Sequence, residues 1–391
     1  MANLVHVIGR FPPPVDGQTM ATQRLAGLLD PSHEVRRLNT SPEAWDHMQA
    51  DVRFDLDKVR HYVGLRRQIR QALQTAPEAP VLWASISPAP LGHLRDILTV
   101  LPGFQPGQRV YAVIHWGNFD RVFRHRLTAP TARRMVRRVQ GFVFLNDQLA
   151  GRCAPWIPEA QRLVIPNTID EAVRCTDDEV TARQVRRKDP LRLLFLSNMI
   201  ASKGYLDVLE AVRLLHARGL ALHADFVGRW SSDTDRAAFE QRVEEAGLPE
   251  VVTHHGGVSD RARIKALYLD ADVFLLPSYY PTEAQPLTII EALSAGTPVV
   301  VTRHAGIPDM VRQNQDALFV PPQAPEAIAE AVHRLADYDT WRPFSQHARQ
   351  QFQHRFSPDA VRRQWVDLIG KREGAIGKRD GPIGKRGKAT Y

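Results

Sequence analysis

The chain has 391 residues, with 51 Lys+Arg against 43 Asp+Glu for a formal net charge of +8, and it is 43% hydrophobic and 24% charged. That is ordinary globular usage at a length suited to two or three domains. No stretch approaches the ~18 apolar residues of a spanning helix, and two cysteines, Cys153 and Cys175, support neither a disulfide scaffold nor a four-Cys zinc site.

The N-terminal run Asn3-Leu4-Val5-His6-Val7-Ile8-Gly9 lacks a basic leader and long apolar core, and reads as a first strand rather than a signal peptide. Further strands are expected near Val81–Ser85, Arg109–His115, Gly141–Leu145 and Arg162–Ile165. A charged linker, Arg183–Asp189, leads into a second series near Leu191–Leu196, His223–Val227, Val251–Thr253, Val273–Pro277 and Pro298–Thr302. Turn signals and amphipathic helical patterns alternate with these runs, which is the signature of parallel α/β architecture. After Lys203-Gly204, apolar residues at Leu206, Leu209, Val212 and Leu215 define one helix, with Gly219 as its stop. Ligands of such sheets sit beyond the C-terminal strand ends, so chemistry is expected in strand-to-helix loops facing a cleft between two halves.

The richest segment is Pro277-Ser278-Tyr279-Tyr280-Pro281-Thr282-Glu283-Ala284-Gln285-Pro286-Leu287, followed by Glu291 and Gly296. It reads strand, loop, helix, glycine stop. Pro286 suits a first helical position, where a missing N–H costs nothing, and the free amides of that turn can hold an anion. Carboxylates here can accept hydrogen bonds from sugar hydroxyls. Taken alone, Glu283 and Glu291 also fit a surface helix with ordinary glutamates. Gly9-Arg10-Phe11-Pro12-Pro13-Pro14-Val15-Asp16-Gly17 is a stiff first loop in which Gly17 permits close backbone approach. No G-x-G-x-x-G follows, which argues against a dinucleotide oxidoreductase. His254-His255 looks metal-like, but adjacent strand residues face opposite ways. The D-x-D strings at Asp55, Asp233 and Asp270 give no reason to invoke a divalent metal.

Glu283…Glu291 is E-x7-E, and its surroundings resemble the retaining glycosyltransferases of family four, glycosyl transferases group 1. Pro166-Asn167-Thr168-Ile169-Asp170, Ser197 to Lys203-Gly204, Ala271-Asp272-Val273-Phe274 and Gly306-Ile307-Pro308-Asp309 resemble other motifs of that family, in order. The resemblance implies the GT-B fold, two facing Rossmann-like domains with a deep cleft. It implies an acceptor-binding domain over 1–186, a nucleotide-sugar-binding domain over 187–340, and helices over 341–369 that cross back to the first domain. By the same resemblance Glu283, His115 and Lys203 are catalytic. Glu291, Asn198, Gln285, Pro286, Leu287 and Gly17 bind the donor. Glu291 is expected on the ribose, Lys203 on the diphosphate, and His115 near the donor sugar. Asn198 stands where the family commonly has arginine, and Gln285-Pro286 where it has Phe-Gly. Asp309 replaces a glutamate, with no role assigned.

The implied enzyme is a metal-independent hexosyltransferase without a resident cofactor. It would use a nucleoside diphosphate sugar and a glycan or lipid-linked acceptor, in cell-surface polysaccharide synthesis. A nucleotide-sugar 2-epimerase of similar fold and a non-catalytic carbohydrate-binding scaffold are the other readings. Localisation is expected to be cytoplasmic. Peripheral association with an anionic inner membrane face is suggested by two arginine-rich helices, around Arg60, Arg66, Arg67 and Arg70 and around Arg133, Arg134, Arg137 and Arg138. It is suggested too by the basic Gly-Lys-Arg repeats of 370–391, which carry +5 of the charge. No specific nucleic acid is expected, since the remaining body holds only +3.

Overall fold

Most strands of the molecule are short apolar runs buried on both faces, the pattern of a parallel sheet covered by helices on either side. The computed structural model describes residues 4–13, 17–41, 56–185 and 189–370; the Gly-Lys-Arg repeats beyond 370, and Pro14 to Asp16 of the first loop, lie outside them. The first sheet contains β1 (Leu4–Gly9), β2 (Glu34–Asn39), β3 (Val81–Trp83), β4 (Val110–Ile114), β5 (Gly141–Phe144) and β6 (Arg162–Val164), in the order β2-β1-β3-β4-β5-β6. The second contains β7 (Leu191–Leu196), β8 (Leu222–Val227), β9 (Val252–His254), β10 (Val273–Leu276), β11 (Val299–Thr302) and β12 (Ala317–Val320), in the order β12-β11-β10-β7-β8-β9. Every pairing within them is parallel. β2 and β12 were not among the expected strands. β2 reads EVRRLN and is half exposed at an edge, and β12 is also an edge strand, of four residues.

Helices of the first half are α1 (Gly17–Leu29), α2 (Leu56–Thr75), α3 (Pro90–Val100), α4 (Arg121–Arg124), α5 (Ala129–Val136) and α6 (Asp147–Arg152). Those of the second are α7 (Asp177–Val185), α8 (Tyr205–Ala217), α9 (Asp233–Glu245), α10 (Arg261–Asp270), α11 (Leu287–Ser294), α12 (Pro325–Ala336), α13 (Tyr338–Gln351) and α14 (Pro358–Gly370). In α8 the buried stripe is Val208, Leu209, Val212 and Leu215, and Gly219 ends its turn at φ +79°.

The division between units falls earlier than residue 186. Ile165 packs in the core of the first sheet, with Val5, Val7 and Val143. Ile169, Val173 and Val180 pack in the core of the second. The chain therefore crosses between 165 and 169, and α7 belongs to the second unit. The return crossing falls later than 341. Phe344, Ala348, Phe352 and Phe356 remain in the second core, whereas Val361, Trp365, Leu368 and Ile369 of α14 complete the first. The two crossings touch: Thr168 Oγ1 donates to the Phe356 carbonyl at 2.7 Å. Arg109 and Arg362 fasten α14 by donating to the Ile369 and Leu28 carbonyls at 2.6 and 2.8 Å.

Candidate active site

Two loops from neighbouring strands of the second unit build the charged centre. The loop after β7 turns at Gly204, whose φ is +86° and where a Cβ would lie 2.7 Å from the Pro277 ring and 2.8 Å from its carbonyl oxygen. Only glycine fits there. That approach lets Tyr279 N donate to the Ser202 carbonyl at 2.8 Å, tying the loop after β10 to the first. Lys203 Nζ consequently lies 2.5 Å from Glu283 Oε2 and 4.6 Å from the centre of the Tyr280 ring. Ser278 Oγ donates to the same carboxylate oxygen at 3.1 Å. Glu283 is 8% exposed, so this is a largely buried pair held by a hydroxyl and an aromatic face.

Pro286 does not begin α11. It stands one residue earlier, as the extended N-cap with ψ 118°, and Leu287 is the first helical residue. Glu291 follows on the buried side of that helix. Tyr268 of α10 donates to Glu291 Oε2 at 3.0 Å, and among the described residues no hydrogen bond reaches Oε1. Burial raises the Glu291 carboxyl above its usual range, opposed by the Tyr268 hydrogen bond and by Arg261 and Arg24. Asn198 is exposed at the mouth of the β7 loop, and Gly17 is the first residue of α1.

The first unit closes over these loops. Gly117, two residues beyond His115, is so near that a Cβ would lie 2.6 Å from the Glu283 carbonyl oxygen. His115 directly follows β4, with Nε2 buried and unpartnered. Burial, aided by Arg24, lowers its pKa to about 4, so it is a neutral imidazole near pH 7. Gln285 is turned toward the first unit. Its Nε2 donates to the Leu145 carbonyl at 2.9 Å, and its Oε1 accepts from Asn167 N at 2.7 Å. Asn146 Nδ2 donates to the Ala284 carbonyl at 3.0 Å while its Oδ1 caps α6. Asp309, given no role from sequence, accepts from Gln148 N at 3.0 Å at the start of α6. These contacts hold the units together around the ion pair.

Of the residues singled out in the sequence, Lys203 and Glu283 touch and Glu291 lies on the adjoining helix, while His115 stands two residues before Gly117, which meets the Glu283 loop from the other unit. Gln285 spends both ends of its amide between units. Arg24 and Tyr268 were not among the expected site residues. Tyr268 is fully buried and resembles core until its partner is seen, and Arg24 lies two turns beyond the glycine that drew attention to α1. The two cysteines are buried free thiols. Among the described residues, no group of three or more His, Cys, Asp or Glu comes together to hold a metal ion.

Residues 177–351 match the family model described as glycosyl transferases group 1. WcaL of Salmonella typhimurium, which bears the name of a colanic acid biosynthesis glycosyltransferase, is 27% identical over 248 residues, 61% of this chain and 59% of that protein. TuaC of Bacillus subtilis, named for teichuronic acid biosynthesis, is 26% identical over 179 residues, 44% of this chain and 40% of its own. The match thus spans about three fifths of the length of the first relative and less of the second. The glycosyltransferase of Rickettsia africae superposes with a TM-score of 0.69 at 17% identity, covering 94% of this chain and 98% of that one. Anabaena Alr3699/HepE in complex with UDP and glucose gives 0.67 at 13%, covering 95% and 100%. The fold is GT-B, two facing parallel α/β units.

Proposed function

We propose that this chain, whose residues 177–351 match the family model of glycosyl transferases group 1, moves a hexose-type sugar from a nucleoside diphosphate donor. The acceptor is a glycan or lipid-linked glycan of cell-surface polysaccharide synthesis, in keeping with the names of WcaL and TuaC. The anomeric configuration is retained and no metal takes part. The observation that carries the reading is the buried Lys203–Glu283 pair, closed over by the loop that follows His115.

Each group has work suited to its chemistry. Lys203, a compact cation on a flexible stem, draws the donor diphosphate to the cleft and stabilises the charge that grows on the leaving phosphate oxygen. Amides at the start of α11 add partial positive charge. Glu291 Oε1 accepts from a ribose hydroxyl while Tyr268 fixes the other oxygen. Neutral His115 exchanges hydrogen bonds with the donor sugar. The acceptor oxygen bonds to the anomeric carbon on the face from which phosphate departs, and the acceptor proton passes to the departing phosphate oxygen. Glu283 positions Lys203 and borders the sugar; no protein nucleophile is assigned.

On this reading the protein works in the cytoplasm, with the outer face of its first unit toward anionic membrane. Among the described residues no helix is long and apolar enough to cross one. α2 and α5 instead turn Arg66, Arg67, Arg70, Arg133 and Arg134 to solvent, and Leu91 and Leu98 of the intervening α3 are 73% and 63% exposed.

The test is turnover of UDP-, GDP- and ADP-hexoses with and without undecaprenyl-linked and free glycan acceptors, followed by NMR of the anomeric proton. Release or transfer of sugar with its original configuration, undiminished by EDTA, is expected. Inverted product sinks the retaining mechanism, and loss with EDTA restored by magnesium sinks metal independence. Isomerised donor would mean an epimerase; intact donor throughout, a scaffold.

A further inference from the structure

Arg24 projects from α1 into the space where the units meet. It lines a groove of about 290 Å³ bounded by Met20, Gln23, Asp170 and Arg362. It also lines a smaller cavity, of about 30 Å³, whose walls include His115, Leu145 and Asn167. Other arginines at this junction are tied down. Arg362 is bonded to the Leu28 carbonyl and to Asp359, Arg109 to the Ile369 carbonyl, and Arg152 to the Gly117 carbonyl. The Arg24 guanidinium makes no hydrogen bond or ion pair among the described residues, although it is half-buried. Burial pulls its pKa down from the usual value, while Glu291 and Asp170 pull it back up. A cation kept partly out of water without a direct partner lacks the compensation that such groups normally find.

Its neighbours say which ligand would supply that partner. On one side it feels the charge of Glu291, the carboxylate read as the ribose holder. On the other it shares a cavity with His115, read as facing the donor sugar, whose buried Nε2 is also unpartnered. In a nucleotide sugar, the diphosphate lies between ribose and sugar. In the second unit's own phosphate loop, Lys203 supplies one cation and exposed Asn198 supplies none.

We propose that Arg24 is a diphosphate-binding residue contributed by the first unit, gripping the donor's phosphates from the face opposite Lys203. The inference rests on the donor reading above. It makes donor binding a bridge between the units: Lys203 holds the diphosphate from one side and Arg24 from the other. A guanidinium fork suits two phosphate oxygens at once, so lysine should replace it only in part.

The experiment is calorimetric titration of the full chain with UDP, GDP and ADP, and NMR titration with the matching uncharged nucleosides. Wild type, Arg24→Gln and Arg24→Lys are compared. For the diphosphate that wild type binds, Arg24→Gln is expected to weaken affinity at least tenfold and to flatten its salt dependence. Nucleoside binding should stay within twofold, and Arg24→Lys should recover part of the loss. Unchanged diphosphate affinity in Arg24→Gln overturns the proposal. So does an equal loss for nucleoside and diphosphate, which would mark a structural role. If wild type binds no nucleoside diphosphate, the donor reading itself fails and the proposal falls with it. The melting temperature of each unliganded variant, expected within a few degrees of wild type, separates misfolding from lost recognition.

Discussion

The two units have the same layered plan but reach it differently. The second is built from one continuous stretch, and its core is one cluster running from Ile169 to Phe356. The first is cored on its two faces by separate clusters. One packs beneath α2, α3 and α5, and the other is finished only by α14 arriving from the far end of the chain. The loops that carry Lys203 and Glu283 belong to the self-sufficient unit, whereas the unit that carries His115 and Arg24 depends on a distant segment for its integrity. Closure of the cleft and completion of the first core are thus linked through the same pair of crossings, joined at Thr168 and Phe356.

Removing α14 should break that asymmetry most strongly. Val361, Leu368 and Ile369 are buried, and at ~1.5–3 kcal/mol for each such side chain their loss alone costs about 5–9 kcal/mol, before Trp365 is counted. That is comparable to the whole stability of a domain. A chain ending at Ser357 is expected to lose protection in β1 and α1 while keeping it in β7, β8 and α8, as read by hydrogen exchange. Uniform protection, or uniform loss, would show the units to be one cooperative block.

Lys203→Met probes the other side of the comparison. It leaves Glu283 buried without its cation and, on the proposed mechanism, removes positive charge from the leaving phosphate. By analogy with loss of one preorganised donor, about 2.7–4 kcal/mol of barrier, kcat should fall roughly 10²–10³-fold. The first unit should stay folded, since Lys203 and Glu283 lie outside both of its core clusters. A fall in kcat below tenfold, measured at saturating donor, would remove Lys203 from the chemistry.

Much of this was readable beforehand, and the failures have physical causes. Continuous apolar runs such as VFLL at β10 and VVVT at β11 announce buried parallel strands. β2 does not, because an edge strand with one solvated face can spell EVRRLN. The pair Lys203 and Glu283 stood out by motif, yet what joins them is the Gly204 approach to Pro277, a tertiary fact. Gln285 is expected on the donor from the family resemblance alone. Only the opposing unit reveals the Leu145 and Asn167 backbone groups that occupy its amide. Pro286 was placed one residue too far into the helix, an error of the size normal at helix ends.

Acid should also distinguish the units. His6, His93 and His115, all in the first, are lowered to about 4 chiefly by desolvation. In the unfolded chain each would take up a proton near 6.5. Between about pH 6.5 and 4 the unfolded state therefore binds more protons, and stability falls as pH falls, by up to ~1.4 kcal/mol per pH unit for each histidine. Asp96 opposes this within the first unit, because burial raises its pKa. In the second unit the carboxylates pull both ways: Glu291 and Asp316 are raised, Asp177 and Glu179 lowered. Hydrogen exchange at pH 5 against pH 7.5, corrected for intrinsic rates, should show the first unit loosening more. Equal loosening would mean the three histidines become solvated before they titrate.

The smallest effect concerns the outer face of the first unit. α2, α3 and α5 cover one side of its sheet, burying Leu65, Ile69, Ile97 and Met135 and leaving the arginines and two leucines outward. Arginines near an anionic surface contribute about 1 kcal/mol each, fading within a Debye length. Exposed leucines add a term that salt does not screen. Replacing Arg66, Arg67 and Arg70 with glutamine should thus weaken sedimentation with phosphatidylglycerol vesicles and reduce its salt sensitivity. Replacing Leu91 and Leu98 with serine should weaken it at high and low salt alike. As a control from the second unit, Arg213 and Arg236, each already paired with a glutamate on its own helix, should be replaceable without effect. If wild-type protein stays in the supernatant at low salt, the arginine face is merely solvated. If the control matters as much as α2, attraction is spread over the whole surface, and the two units do not differ in this respect.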